Sequence, residues 1–215
     1  KIVDHVRALS PLFMSELRSF ADHPLVGVLV MDPSTRRRVR VNGAADMSPD
    51  GVLRVQTREV FGNCPQYIQL RVPEATAIAG RARDEEPEFT DRLSPQQQER
   101  ISKADTFFLA TAHPERGADA SHRGGMPGFV HVEDDRTLLW PDYSGNNMFQ
   151  SLGNLMANAR SGVLFLDFET GSSLQLTGET RVLWDSPRAK DFPGAHRLLE
   201  FKASSVVDTS NAIPL

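Results

Sequence analysis

The feature that most restricts how this chain can fold is an internal repeat. Residues 27–43, GVLVMDPSTRRRVRVNG, and residues 162–178, GVLFLDFETGSSLQLTG, have the same length. They share the opening Gly-Val-Leu, an aspartate at the sixth place (Asp32, Asp167), a threonine at the ninth (Thr35, Thr170) and the closing glycine. Each reads as an apolar strand, a tight turn and an alternating second strand, with Val39 and Val41 in one copy and Leu174 and Leu176 in the other. An amphipathic helix is predicted ahead of each hairpin, carried by Leu12, Phe13, Met14 and Leu17 in the first copy. Met148, Phe149, Leu152 and Leu155 carry it in the second, from near Asn147. The repeating unit is therefore at least a helix and two strands.

The second copy has more chain in front of it. Thr106–Ala112 reads as a buried strand, Gly128–Val132 continues a second, Thr137–Trp140 makes a third, and Arg197–Val207 supplies a last long one. Six strands and one internal helix predict a small closed antiparallel barrel, which leaves few edges exposed. The first copy has only ten residues before Pro11 and lacks this front half. It must lean on the second barrel, or its missing strands precede Lys1. The expected class is mainly β, as tandem split β-barrels with the first incomplete. The expected organisation is a partial repeat over 1–80, a linker and helix over 81–103, and a complete barrel over 104–215. The polar stretch Val72–Arg92 reads as solvated linker. Ser94 followed by Pro95 marks a helix start running to about Lys103.

Composition narrows the partners. A formal charge of −4 offers no basic field for nucleic acid. The longest apolar run, Leu25–Met31, is far short of the roughly 20 residues a membrane span needs. A single cysteine, Cys64, excludes an internal disulfide and fits a cytoplasmic setting. Beginning at Lys1 with neither methionine nor a leader, the sequence reads as a fragment or processed chain.

Three segments carry more glycine and polar side chains than a strand connection needs: Ser121–Gly125 (SHRGG), Asp142–Asn147 (DYSGNN) and Gly62–Tyr67 (GNCPQY). Each by itself reads as a turn. The first two flank the same strands and can meet at one rim of the second barrel. There Ser144, Asn146 and Asn147 precede a helix, whose N-terminal N–H groups suit a phosphate, and Arg123 adds a bidentate cation. Gly124 and Gly125 let the backbone approach a ligand closely. Other candidates have plainer readings. His113 before Pro114 is a turn residue; Phe107, Phe108 and Phe129 are core; the arginines at 36–38 form a solvated hairpin tip or, alternatively, an anion contact across a subunit interface. No metal motif accompanies His113 and His122, and no nucleophile elbow appears.

SHRGGMPGFV, DYSGNNMFQSLGNL, GVLFLDFETGSSLQLTG and FGNCPQYIQLR together resemble the pyridoxamine 5'-phosphate oxidase-like family of FMN-binding split barrels, and more narrowly its tandem-barrel, flavin-nucleotide-binding members. The likeness runs from about Pro11 onward. It implies a noncovalent FMN at a barrel-to-barrel interface, a homodimer, and an oxidoreductase drawing electrons from NAD(P)H or a reductase. On this resemblance Ser121, His122 and Arg123 approach the flavin. Tyr143, Ser144, Asn146, Asn147 and Ser151, with Asp142 beside them, hold the phosphate tail; Asn63, Cys64 and Tyr67 face the flavin from the first barrel. The family's lysine after Asn-Cys-Pro is Gln66 here. The C-terminal Trp-Gln and Arg-X-His of true pyridoxamine phosphate oxidases are missing, so that substrate is not implied. No catalytic acid or base stands out, leaving a flavin-binding or electron-transfer module, or a haem or deazaflavin barrel, as alternatives.

Overall fold

The computed structural model describes residues 24–48, 52–62, 65–72, 86–145 and 148–212. The first predicted helix, with Leu12 to Leu17, and the residues Asn63, Cys64, Asn146 and Asn147 lie outside the described residues.

Both repeated windows are antiparallel hairpins. In the first, β1 (Leu25–Asp32) pairs with β2 (Arg37–Met47), which pairs in turn with β3 (Leu53–Gly62). The shared residues have shared causes. Asp32 accepts the backbone N–H groups of Ser34 and Thr35 across its turn, and Asp167 accepts those of Glu169 and Thr170 in the same way. The closing glycines, Gly43 and Gly178, each sit at a bulge, where a β-carbon would collide with the backbone carbonyl of Gln56 or Lys202 on the neighbouring strand.

The rest of the chain forms an eight-stranded antiparallel sheet. Its members are β4 (Glu88–Thr90), β5 (Thr106–His113), β6 (Gly117–Gly124), β7 (His131–Val132), β8 (Thr137–Tyr143), β9 (Arg160–Leu166), β10 (Ser173–Leu183) and β11 (Ala195–Thr209). The hydrogen-bonded order is β6-β5-β9-β10-β11-β8-β7, with β4 on β11. The sheet curls until side chains from distant strands share one core. Phe107 of β5 meets the Trp140 ring of β8 edge-on at 5.1 Å, and both are fully buried. The closed barrel expected from strand count is corrected: β6 and β7 end the path and, among the described residues, do not pair with each other. Between them the chain turns inward at Phe129, which stacks on Phe107. Polar segments also pair where loops were expected. Ser121–Gly124 belong to β6, in register with β5 from Thr106↔Gly124 to His113↔Gly117, because ladder hydrogen bonds use backbone whatever the side chains. Glu88–Thr90, in the expected linker, pair with β11.

Helix α1 (Pro95–Lys103) starts as predicted. Ser94 caps Gln97 N–H while the Gln97 side chain returns to the Ser94 N–H, a full capping box with Pro95 in the first turn. Helix α2 (Gln150–Ala157) begins after Phe149, later than the Asn147 start expected, and has no side-chain cap. It buries Leu152 and Leu155 in the core of the large sheet. The first hairpin leans on β6, as one of the two expectations had it. A β-carbon on Gly27 would lie 2.6 Å from the Asp119 backbone, so only glycine permits this approach.

Candidate functional site

Strand alternation decides which side chains meet between the two halves. On β6, Asp119, Ser121 and Arg123 share one face, and on β2, Arg38 and Arg40 share the face opposite Val39 and Val41. The second face of β2 turns toward β6. Arg40 there donates through one nitrogen to both carboxylate oxygens of Asp119 at 3.1 Å. Arg40 is 7% exposed and Asp119 1%. Asp119 also accepts the Ser151 hydroxyl at 2.9 Å, Ser151 reaches Ser121 at 3.2 Å, and Ser121 donates to the Leu109 carbonyl. β2, β6 and α2 are thus tied by one buried polar network. Burial pulls the Arg40 guanidinium below its usual value, Asp119 pushes it back up, and Arg123 adds repulsion.

Above this network lies an open cleft. Arg38, Arg40, Gln66 and Tyr67 line it from the first half of the chain. His122, Arg123, Gly124, Asp142, Tyr143, Ser144, Phe149, His196 and Arg197 are among its linings from the second. Four guanidinium groups line it among the described residues; Arg40 is paired with Asp119, and Asp142 accepts from Arg123 at 3.0 Å and forms an ion pair with Arg197 at 3.4 Å. Arg197 is itself held between the rings of Phe149 and Trp184, 5.2 and 4.8 Å from their centroids. One wall is aromatic. Tyr67 stacks on Tyr143 at 5.4 Å, and its hydroxyl donates to the Ser144 carbonyl at 3.0 Å. Burial, then the neighbouring Tyr67, raises the Tyr143 phenol.

His122 sits at the floor, 5% exposed. Its Nδ1 lies 2.7 Å from a nitrogen of Arg38, which can only donate, so Nδ1 is the acceptor and the ring proton is on Nε2. Burial foremost, then the charges of Arg38, Arg123, Arg71 and Arg40, lowers its pKa to about 3. The imidazole is therefore neutral at physiological pH. Among the described residues, the buried N–H groups of His122 Nε2, Arg40 Nε and Arg123 Nε have no hydrogen-bond partner here. Buried donors are ordinarily satisfied, so such a group marks a place for an acceptor.

The expected site residues separate into three groups. His122, Arg123, Gly124, Asp142, Tyr143, Ser144 and Tyr67 come together in the cleft. Ser121 and Ser151 lie behind it, bonded to the buried network, and Gly125 packs against Phe129 with its N–H on the Asp105 carbonyl. Asn63, Cys64, Asn146 and Asn147 lie outside the described residues. The glycine pair serves packing: a β-carbon at Gly124 would overlap the Tyr67 carbonyl, so the first half of the chain occupies that space. Sequence reasoning missed Arg38, Arg40, Phe149, His196 and Arg197 as cleft residues. The arginine run splits. Arg36 occupies the turn at φ 54° and Arg37 is exposed, as a solvated tip should be, but Arg38 turns to His122. The alternation Arg38-Val39-Arg40-Val41 was the available signal.

A family model described as pyridoxamine 5'-phosphate oxidase matches residues 93–213, more than half of the chain. The chain belongs to the pyridoxamine 5'-phosphate oxidase family. The match covers α1, β5 to β11 and α2, and therefore the wall of the cleft that these elements build. No curated protein matches the chain. Solved structures similar to it include three bacterial proteins. HupZ of Group A Streptococcus is 10% identical over 52% of this chain and 90% of its own, with a TM-score of 0.42. A putative pyridoxamine 5'-phosphate oxidase of Lactobacillus delbrueckii is 17% identical over 54% and 94%, at 0.43. An FMN-binding protein of Syntrophomonas wolfei is 12% identical over 53% and 84%, at 0.39. Among the described residues, no helix is long and apolar enough to cross a membrane.

Proposed function

We propose that the cleft between the halves binds FMN and that the protein is a flavin-dependent oxidoreductase of its family. The observation that carries this reading is the set of buried donors without a partner among the described residues, His122 Nε2, Arg40 Nε and Arg123 Nε, in a cleft lined by four guanidiniums, of which Arg40 is paired with Asp119 and two others share Asp142. Such a site favours a ligand rich in acceptors and negative charge. FMN has both, in a phosphate ester and a ring bearing carbonyl and imine acceptors, and its planar ring suits the Tyr67–Tyr143 wall. Bound there, the flavin would supply two-electron redox chemistry. The chain's own contribution is to hold and tune. Arg38, Arg40 and Arg123 would meet anionic oxygens, Tyr67 and Phe149 would shield an apolar face, and neutral His122 would donate a hydrogen bond from Nε2–H, keeping its proton.

The test is direct titration of FMN fluorescence, with riboflavin as the control lacking phosphate. FMN should bind more tightly than riboflavin. Arg123→Ala should weaken FMN by about 1.5–3 kcal/mol, the scale of a charged hydrogen bond; an unchanged dissociation constant would remove the phosphate from this cleft. Mixing the loaded protein with NADH or NADPH then separates an enzyme, whose flavin absorbance bleaches rapidly, from a binding or electron-transfer module, which stays inert. The second reading rests on His122 being neutral at physiological pH and engaged by Arg38, so that it does not act as a general acid there.

A further inference from the structure

Strand β11 reaches the cleft through an irregularity that brings two consecutive polar side chains to one place. Ala195 pairs with Tyr143 and Arg197 with Asp142, so His196 stands opposite no residue of β8 and forms a β-bulge. Successive residues of a regular strand face opposite sides of the sheet. Further along β11 that rule holds: Leu199 joins the main core, and Leu198 a separate cluster with Leu139 and Phe192. Alternation would send Arg197 to the side of Leu199 and His196 to the side of Leu198. With the bulge, both line the cleft.

The Arg197 guanidinium is held by three contacts. The rings of Phe149 and Trp184 lie 5.2 and 4.8 Å from it, and its Nε is 3.4 Å from Asp142 Oδ2. The ion pair uses the Nε side and leaves the two terminal nitrogens as a fork. Among the described residues, no hydrogen bond engages that fork or the exposed His196 imidazole. A planar pair of N–H donors is the complement of a carboxylate. Phe149 and Trp184, 47% and 45% exposed, add aromatic surface beside it. Asp142 accepts from Arg123 with its other oxygen and so separates the fork from that arginine. We propose that His196 and Arg197 form a second anion subsite in the cleft, one that takes the carboxylate of a planar organic acid. The subsite does not depend on FMN; that its occupant is the flavin's substrate rests on the FMN reading of the cleft.

Calorimetry with benzoate as the probe tests this, with benzamide as the uncharged control. FMN-saturated protein should bind benzoate without releasing FMN, and benzamide about ten-fold or more weakly, the scale of a charged hydrogen bond. Arg197→Gln should weaken benzoate by a similar factor. His196→Ala, a change at an exposed bulge that leaves the ladder intact, should weaken it by a smaller one. In the unaltered protein, benzoate should shift the His196 imidazole NMR signals saturably. Absence of benzoate binding overturns the proposal, as do equal binding of benzamide, an affinity that neither variant changes, and displacement of FMN by benzoate. The same titration on FMN-free protein reads the subsite by itself, so failure of FMN to bind counts against the flavin reading and not against the subsite.

Discussion

Arg40 and Asp119 form a buried pair whose value lies in being complete. Neither is solvated, and among the described residues the carboxylate's one further partner is Ser151. Removing one partner leaves a buried charge uncompensated, so Asp119→Ala should destabilise the fold by about 3–5 kcal/mol, measured by urea unfolding. The double variant Arg40→Met/Asp119→Leu should recover most of that loss, since desolvating the pair costs nearly as much as it returns. His122 makes a pH-dependent prediction. Its folded pKa is about 3, against an ordinary 6.5, so between those values the unfolded chain binds a proton that the folded chain refuses. Stability should be unaffected by this group above pH 6.5 and fall as pH drops below it, with a slope approaching about 1.4 kcal/mol per pH unit. His122→Gln should flatten the unfolding midpoint against pH between 6.5 and 5. An identical slope in both proteins would place the titration elsewhere.

At the scale of elements, the site depends on one short crossing. Residues 65–72 leave the small sheet and run across the large one. Gln69 donates to the Gly125 carbonyl, Arg71 pairs with Asp105, and the Arg71 guanidinium lies 4.1 Å over the Phe168 ring. Tyr67 is the tightest point of this crossing, at φ 68°, with its carbonyl filling the space above Gly124. Gly124→Ala should therefore cost about 1–3 kcal/mol in stability by overpacking and lift Tyr67 from Tyr143. Denaturant unfolding reads the first effect and weakened FMN binding the second. Gly128→Ala is the informative comparison for space, because a β-carbon there meets nothing within 4 Å, although its φ of +90° still strains any L-residue.

For the whole molecule, the cleft is assembled from both halves of one chain, which bears on its oligomeric state. We propose the homodimer that the family resemblance implies, with both described walls of the cleft present in a single chain. Light scattering should give a dimer mass, and dilution to monomer should leave FMN affinity within about two-fold if the cleft is complete in one copy. Affinity that falls away with dilution would mean that a second chain supplies part of the site.

The hairpin duplication, the capping box at Ser94 and Gln97 and the core role of Phe107 and Phe129 were legible in the sequence, because each depends on near neighbours or on strand periodicity, whereas Phe108, expected in the core with them, is half-buried on the other strand face beside His122. His113 was too: it accepts the N–H groups of Glu115 and Arg116 in its own turn. The motif around SHRGG pointed to the right region but not to its geometry. Whether the chain closes a barrel depends on pairing between strands far apart in sequence, and local pattern does not encode where that pairing stops. The cleft's cations were hidden for the same reason: Arg38 and His122 meet across 84 residues, and Arg40 and Asp119 across 79. Sequence alone determined the repeated hairpin and the family; the packing of one half against the other decided which charges face each other, since electrostatic neighbours are set by distance in space.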